Sequence, residues 1–368
     1  MVTTIKKAKL MSDPMLAIHS RTGSFSDRWI EQCVRHRIAH RVVDCHRSDV
    51  FMQLHSCDGL LWHWTHQSPT DLLMAGHVLM AAEARGLRVF PNSVTCWYFD
   101  DKLAQKYLLE AVGAPLAPAH VFYTVEEALA WAQQAQFPKV FKLRRGAGST
   151  NVRMVRSRQE AVRLIRRAFG RGFRAAPGLL QTDNAGVRQV RRHPSWRNLL
   201  KLPRQCIHYC RRVSLMGSER GYVYFQDFVP GNRFDTRVTV VRGRAFAFTR
   251  DVRPGDFRAS GSGLTNYSRE RISSQCVAVA METARRLGGQ SHAFDLVTDE
   301  QGHVRVLEVS FGYVAPCVHA CPGYWDNQLQ WHEGHFWPQD LILSDLLEDL
   351  DYRESVVAEL RRSETVLA

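Results

Sequence analysis

Short apolar runs alternate with helically spaced segments through the first hundred residues of the chain. Residues 15–19, 41–44, 59–64 and 87–90 read as strands, and residues 27–37 and 69–85 carry helical spacing. Strands alternating with helices predict a parallel, wound sheet. No Gly-x-Gly-x-x-Gly follows the first strand, and Arg21-Thr-Gly-Ser-Phe-Ser is too loose for a dinucleotide loop.

Beyond residue 95 the pattern changes. A helix is expected over residues 100–112, stopped by Gly113 and Pro115. A strand follows at 119–123, and Thr124-Val-Glu-Glu has the capping-box spacing for a helix to residue 136. Residues 139–143 and 152–155 predict a hairpin around a glycine-bearing turn, with a helix from Ser157 to about residue 169. Further strands are expected at 222–229, 237–241 and 245–250, the last two joined at Arg242-Gly243-Arg244. A helix over 273–287 then leads into strands at 291–297 and 304–309, with a turn at 299–302 and a helical tail after residue 341. Residues 177–220 differ: nine Lys or Arg stand against two acidic residues, and periodicity fades, as in a basic insertion or lid.

The chain has 368 residues, 45% hydrophobic and 23% charged, enough for two or three domains with sizeable cores. No run of about 18 apolar residues exists to span a bilayer, and the N-terminus does not read as a signal peptide. Nine scattered cysteines without a Cys-x-x-Cys pair suggest reduced thiols in a cytoplasm. A net charge of +13 favours an anionic partner: nucleotide phosphates, a sugar-phosphate lipid, an anionic membrane surface or nucleic acid.

Four groups of residues carry candidate chemistry. Lys142 leads into Arg144-Arg-Gly-Ala-Gly-Ser-Thr-Asn151, where Gly146, Gly148 and Ser149 would let backbone amides approach phosphate oxygens; an ordinary basic hairpin turn is the plain alternative. Gln226-Asp227-Phe228-Val229 ends an apolar strand and could offer backbone groups to an adenine edge, or be a strand end only. Asp235-Thr-Arg237, Arg250 and Asp256-Phe-Arg258 in a Gly/Ser loop could converge where phosphoryl charge develops, or lie solvated at strand ends. Asp295 and Glu308 sit on consecutive strands, and antiparallel pairing could bring both carboxylates to one face, the oxygen donors Mg²⁺ prefers; surface ion pairs would explain them equally.

The order of these groups, preceded by Lys102 at a helix start, resembles the ATP-grasp superfamily over residues 95–345, within it the branch that ligates glutamate to a ribosomal protein tail. A closer likeness is to ATP-grasp proteins encoded beside glycosyltransferases in bacterial surface-polysaccharide clusters, through Asp256-Phe-Arg-Ala-Ser-Gly-Ser-Gly263, Ala293-Phe-Asp295 and Pro322-Gly-Tyr-Trp325. The resemblance implies an α/β (α+β) fold: a wound pre-ATP-grasp domain over 1–94, an N-terminal lobe over 95–225 with the 177–220 insertion, and a C-terminal lobe over 226–368. It implies that Lys102 and Lys142 contact the α/β phosphates of ATP beneath the 146–149 loop. Gln226, Asp227, Phe228, Val229 and Asp235 would hold the nucleotide, with Arg237, Arg250 and Arg258 as catalytic cations. Asp295 and Glu308 would bind Mg²⁺, with Ser310 where many relatives carry asparagine; a serine hydroxyl is a poorer Mg²⁺ ligand than an amide carbonyl.

The activity so implied is ADP-forming ligation of a carboxylate to an amine through an acyl phosphate, on a small-molecule or glycan carboxylate. A surface glycan precursor, an anionic lipid carrier and a cytoplasmic place at the inner membrane face go with it; the reading admits an oligomer. The alternatives are an ATP-grasp kinase acting on a sugar or polyol hydroxyl, and a nucleic-acid or anionic-lipid binding module using the basic insertion with Trp196 and Tyr209. Zinc chelation by Cys206-Ile-His-Tyr-Cys210 or Cys317-Val-His-Ala-Cys321 is a further alternative, although neither has a standard spacing. Trp325, Trp331, His332, His335 and Trp337 could stack a sugar or simply pack the C-terminal segment.

Overall fold

The computed structural model describes residues 13–146, 151–174 and 217–362. Its first unit is a parallel four-stranded sheet ordered β2-β1-β3-β4, from β1 (Leu16–His19), β2 (His40–Val43), β3 (Gly59–Leu61) and β4 (Arg88–Phe90). The central strands β1 and β3 are buried throughout, as expected of parallel strands covered on both faces. The helices α1 (Phe25–Arg35), α2 (Val50–Gln53) and α3 (Pro69–Ala84) wind around this sheet. α1 starts where Ser24 accepts the N–H of Ser26, and it buries Phe25, Trp29 and Cys33, spaced by fours along one face.

After α4 (Ser93–Cys96) and α5 (Lys102–Ala111), the strands β5 (Ala119–Phe122), β6 (Lys139–Lys142) and β7 (Val152–Val155) form an antiparallel sheet ordered β5-β10-β6-β7. β10 (Val223–Asp227) enters it from far along the chain. α6 (Val125–Gln134) and α7 (Arg158–Phe169) cover one face, and β8 (Phe173–Arg174) pairs with β9 (Ser218–Glu219) beside it. Thr124 caps α6 by accepting the N–H of Glu127, as the Thr-x-x-Glu spacing predicts. Strand alternation sends Val223, Phe225 and Phe141 into the helix-covered core and leaves Val140, Lys142 and Gln226 on the opposite face.

The largest sheet runs β15-β14-β11-β12-β16-β17, with β13 (Thr265–Asn266) attached to β12. It is built from β11 (Phe234–Val241), β12 (Arg244–Asp251), β14 (Ser291–Thr298), β15 (Val304–Ser310), β16 (Gly323–Trp325) and β17 (Trp331–Glu333). Arg242 and Gly243, both at positive φ, make the two-residue turn between β11 and β12. α8 (Ser274–Leu287) covers one face over Val238, Val240, Phe294 and Leu296. The same alternation turns Asp235, Arg237 and Asp295 away from α8, and the irregularity between Val306 and Glu308 brings Glu308, opposite Asp295, to that side too. Tyr98 and Leu109, although they precede β5, pack into this core.

The C-terminal helices α10 (Pro338–Glu348) and α11 (Glu354–Leu360), with the short α9 (Ala315–His319) ahead of them, share a core with β1, α1 and the turn end of β11–β12. Arg28 grips Asp340 through two bonds of 2.7 Å, and the Trp29 indole donates to the Gln339 carbonyl at 2.9 Å. The wound unit is therefore fastened to the last part of the chain. None of the helices in the described residues is long and apolar enough to cross a membrane.

Phe225 is fully buried in β10, stacked on Trp131 at 4.8 Å and edge-on to Phe141 at 5.7 Å. Phe225→Ala should destabilise this sheet by about 3–5 kcal/mol, the usual cost of emptying a packed aromatic site. A urea titration followed by tryptophan fluorescence checks it; an unchanged midpoint would contradict the packing.

Candidate active site

The polar faces of the two antiparallel sheets look at one another across a cleft of about 800 Å³, open solvent included. Val140 and Lys142 of β6, Val152 of β7 and Gln226 of β10 line one side; Asp235, Asp295, Val297, Leu307 and Glu308 line the other. Asp227 at the end of β10 and Phe228 and Val229 of the crossover after it add to the lining, with Phe257, Arg258, Ala259 and Ser260 from the following loop. The crossover is pinned by Asn232, whose amide donates to the Thr298 carbonyl at 2.9 Å and accepts the Thr298 N–H at 3.1 Å. Val140, Val152, Phe228, Phe257, Val297 and Leu307 give the cleft apolar walls beside its charged groups. Phe228 meets Phe257 edge-on at 6.1 Å.

The side chains of Gln226 and Asp227 have structural partners. Gln226 donates to the Ala117 carbonyl at 3.3 Å, and Asp227 pairs with Lys139 at 2.6 Å and His120 at 3.1 Å. These contacts fix the strand end, whose backbone at Gln226 and Asp227 is itself paired with β5 and β6 on either side.

Lys102 and Lys142 are both buried beside the carboxylates. Lys102 donates to the Gly146 carbonyl at 2.7 Å and lies 3.3 Å from Glu308. Burial opposes its charge, but Glu308 and Asp100 outweigh that and hold the ammonium above the ordinary lysine range. Lys142 has weaker support: among the described residues its ammonium hydrogen-bonds only to the Leu307 carbonyl, at 3.4 Å. Burial, helped by the like charge of Lys102 and opposed by Glu308 and Asp295, pushes Lys142 down to about 8.

Gly146 is held from both sides, its N–H by Asp100 at 2.9 Å and its carbonyl by Lys102, at a φ of +128° that suits only glycine. Burial pushes Asp100 up to about 6. Asp100 was missed by sequence reasoning, although an Asp-Asp pair just ahead of the Lys102 helix was a signal: Asp101 is that helix's cap, leaving Asp100 free to turn inward. Gly148 and Ser149 lie outside the described residues, as do Cys206, Cys210, Trp196, Tyr209 and nearly all of the 177–220 segment.

Four residues on three adjacent strands form a closed charge network. Arg250 grips both oxygens of Asp235 at 2.8 and 2.6 Å and also reaches Oδ1 of Asp295 at 2.7 Å. Arg237 donates to the same Oδ1 at 2.5 Å. Burial alone would raise Asp295, but Arg237 and Arg250 overcome it and hold the carboxyl well below the usual range. Burial and the neighbouring Asp295 raise Asp235.

Of the three arginines expected at developing charge, Arg250 is thus fully engaged with two carboxylates and Arg237 with one. Only Arg258 lines the cleft, oriented by its own loop through Asp256 at 2.7 Å.

Asp295 and Glu308 are direct cross-strand partners, next to a register shift that leaves Leu307 unpaired, and both line the cleft. The two arginine contacts on Asp295 converge on Oδ1 and leave Oδ2 out of either. Two such carboxylate oxygens fit Mg²⁺, which takes one or two carboxylates and completes its shell with phosphate oxygens and water. Among the described residues no group of three His, Cys, Asp or Glu could cage an ion without outside ligands. Ser310 follows on the same strand, but its hydroxyl accepts the Gly312 N–H at 3.0 Å and donates to the Gly312 carbonyl at 3.2 Å. That local ring directs it to the chain rather than to the carboxylate pair.

Trp325 and Trp331 pack on each other at 4.6 Å in the core under α8, and the His319 ring stacks on Trp337 at 4.1 Å; none of these lines the cleft. The Cys321 thiol donates to the Ala247 carbonyl at 3.4 Å.

No family model matches the chain, and no curated protein matches it. Solved structures do. D-cycloserine synthetase DcsG superposes with a TM-score of 0.53 at 16% identity, covering 90% of this chain and 99% of that one. D-alanine–D-alanine ligase from Bacillus anthracis, complexed with ATP, gives 0.52 at 11% identity over 95% of this chain and 96% of that one. The ATP-grasp ligase PsnB, complexed with a minimal precursor, Mg and ADP, gives 0.50 at 12% identity over 96% and 100%. The chain has the ATP-grasp fold, with mixed α/β architecture.

The two acidic residues should respond differently to mutation. Asp295→Ala strands buried Arg250 and half-buried Arg237 and should cost about 3–5 kcal/mol of stability, whereas Glu308→Ala, at the cleft edge, should cost less than about 2. Because Asp295 is depressed in the folded state, its contribution is complete above the unfolded aspartate pKa and is lost as pH falls through the lower folded value. Denaturant midpoints for both variants, taken from neutral to acid pH, check the ordering; equal losses would contradict the network.

Proposed function

We propose that the chain is an ATP-dependent carboxylate–amine ligase that works through an acyl phosphate. One observation carries the reading: the cross-strand pair Asp295 and Glu308 shares a cleft with the buried cation Lys142, and the same cleft has apolar walls beside a pinned crossover. Those walls suit a planar base, with Phe228 and Val229 of the crossover beside it. Lys102, Lys142 and Arg258 would neutralise phosphate oxygens, and Asp295 and Glu308 would hold Mg²⁺, which would supply further positive charge to those oxygens. Arg237 and Arg250 act at one remove, by fixing Asp295.

In the first step a carboxylate oxygen attacks the γ-phosphorus and ADP leaves. In the second an amine attacks the acyl carbon, phosphate leaves and the nitrogen loses a proton. Both steps need charge stabilisation and alignment, and neither needs a nucleophilic side chain. The cytoplasm, a bacterial surface glycan or its lipid-linked precursor, and a carrier at the membrane face belong to this proposal; a net charge of +13 supports an anionic partner.

Coupled ADP release, screened with amino acids and uronic acids in the presence and absence of amines, tests the reaction. The expected outcome is turnover that requires both a carboxylate and an amine, reduced at least a thousandfold in Glu308→Ala with the fold retained. A stable phosphorylated alcohol formed without amine would replace the ligase with a kinase.

The lowered Lys142 gives a pH signature. Phosphate binding needs the ammonium, so ATP affinity should be flat below about pH 7 and weaken, by up to about tenfold per unit, as pH rises past about 8. Lys142→Arg should flatten this profile, because a guanidinium stays charged. Calorimetric titrations from pH 6.5 to about 9.5 would show it; a level wild-type profile would remove Lys142 from the phosphate site.

A further inference from the structure

In the order β2-β1-β3-β4 the chain steps from β1 to β2 on one side and then crosses back to β3 on the other, so the winding reverses beside β1. In open parallel sheets, ligands settle outside the carboxyl ends of the strands at such a reversal. Here those ends are His19, running on to Arg21, and Leu61, running on to Trp62, His63 and Trp64.

Buried donors without acceptors gather at this edge: Arg21 Nε and the indole Nε1 atoms of Trp62 and Trp64. An unmet buried donor costs about 1–3 kcal/mol, so the Arg21 guanidinium, with its Nε unmet, calls for an acceptor. The Arg21 guanidinium donates from Nη2 to the His63 carbonyl at 3.3 Å, and among the described residues it makes no ion pair; Asp27 and Asp71 act on it only at longer range. The His63 ring stacks on Phe25 at 3.7 Å, and its Nδ1 accepts the Phe25 N–H at 3.4 Å, which puts the proton on Nε2. Burial, with Arg21 and His66 nearby, pushes His63 down to about 3, so it is a neutral donor. The helix end itself is already used: Ser24 Oγ takes the Ser26 N–H, and Asp27 takes that of Gly23.

This edge adjoins the active cleft by two separate routes. Trp64 packs on Phe99 at 4.7 Å, and Phe99 precedes Lys102 by three residues. His63 meets Phe311 at 6.5 Å and Trp64 meets it at 5.6 Å, and Phe311 follows Glu308 by three residues. Three residues of chain span at most about 10 Å, so each route ends within a small molecule's length of the crevice.

We infer that Arg21 and His63 hold a spectator carboxylate of the substrate, a carboxylate other than the one activated, so that the substrate is a dicarboxylate or an amino acid bound across the two sites. The guanidinium fork and the Nε2–H are matched to a carboxylate, not to a neutral amide. This rests on the ligase reading, and the test separates the two.

The experiment measures coupled ADP release with α-amino acids and dicarboxylic acids, each beside its carboxamide analogue, together with calorimetric ATP binding. Wild type should prefer the acid over the amide by at least tenfold in kcat/KM. Arg21→Ala should abolish that preference by raising KM for the acid alone, Arg21→Lys should restore part of it, and His63→Gln, which keeps an N–H, should retain more of it than His63→Phe. ATP affinity should be the same in all of them, which also reports that they fold. An Arg21→Ala enzyme that keeps the wild-type preference, a wild type without one, or turnover confined to phosphomonoesters would overturn the assignment. A wild type that binds no ATP would instead sink the ligase reading beneath it.

Discussion

The arrangement of the cleft depends on one buried charge network, Asp235–Arg250–Asp295–Arg237, strung across β12, β11 and β14. Two carboxylates so near each other in a low-dielectric core would repel and protonate; two arginines make both ionised states affordable and lock the register of three strands. Each pairing follows that register, Asp235 opposite Arg250 and Arg237 opposite Asp295. The network also fixes Asp295, with both arginine contacts on Oδ1 and Glu308 directly across the strand pair. An arginine replaced by a shorter cation would lose the fork that makes this possible.

The two lysines illustrate how burial and neighbours compete. Both are almost entirely enclosed, yet Lys102 is held charged by Glu308 and Asp100, while Lys142, hydrogen-bonded only to a carbonyl among the described residues, is left easy to deprotonate. An anion arriving beside Lys142 would favour its charged form and extend it to higher pH. Gly146 ties this to the loop that follows, since the same lysine that faces Glu308 also holds the loop's first carbonyl.

The wound unit lines none of the cleft between the two antiparallel sheets and is coupled to it by packing. Arg28 and Trp29 anchor it to α10, and Phe25, Trp64, Phe99 and Phe311 fill the space between its strand ends and the start of α5. A shift of that sheet would move Phe99 and Phe311, and through them the short segments bearing Lys102 and Glu308.

Much was legible from the chain alone because it rests on local chemistry. Alternation identified the strands that carry Lys142, Asp295 and Glu308, Thr124 marked its helix start, and Arg242-Gly243 marked the tight turn, each a matter of backbone preference within a few residues. The ATP-grasp fold followed from the order of motifs. Tertiary structure decided what depends on partners distant in sequence. β10 lies between β5 and β6 although some eighty residues separate it from β6, and no periodicity encodes that insertion. Strand patterns put Arg250 near charge but could not tell a phosphate-facing arginine from one enclosed by Asp235 and Asp295; only the fold's dielectric and geometry make that distinction. Ser310 looked like a metal ligand by position, and the turn at Gly312 drew its hydroxyl away. The donors of Arg21, Trp62 and Trp64 escaped notice for the same reason: an unmet hydrogen bond exists only once burial has removed the water.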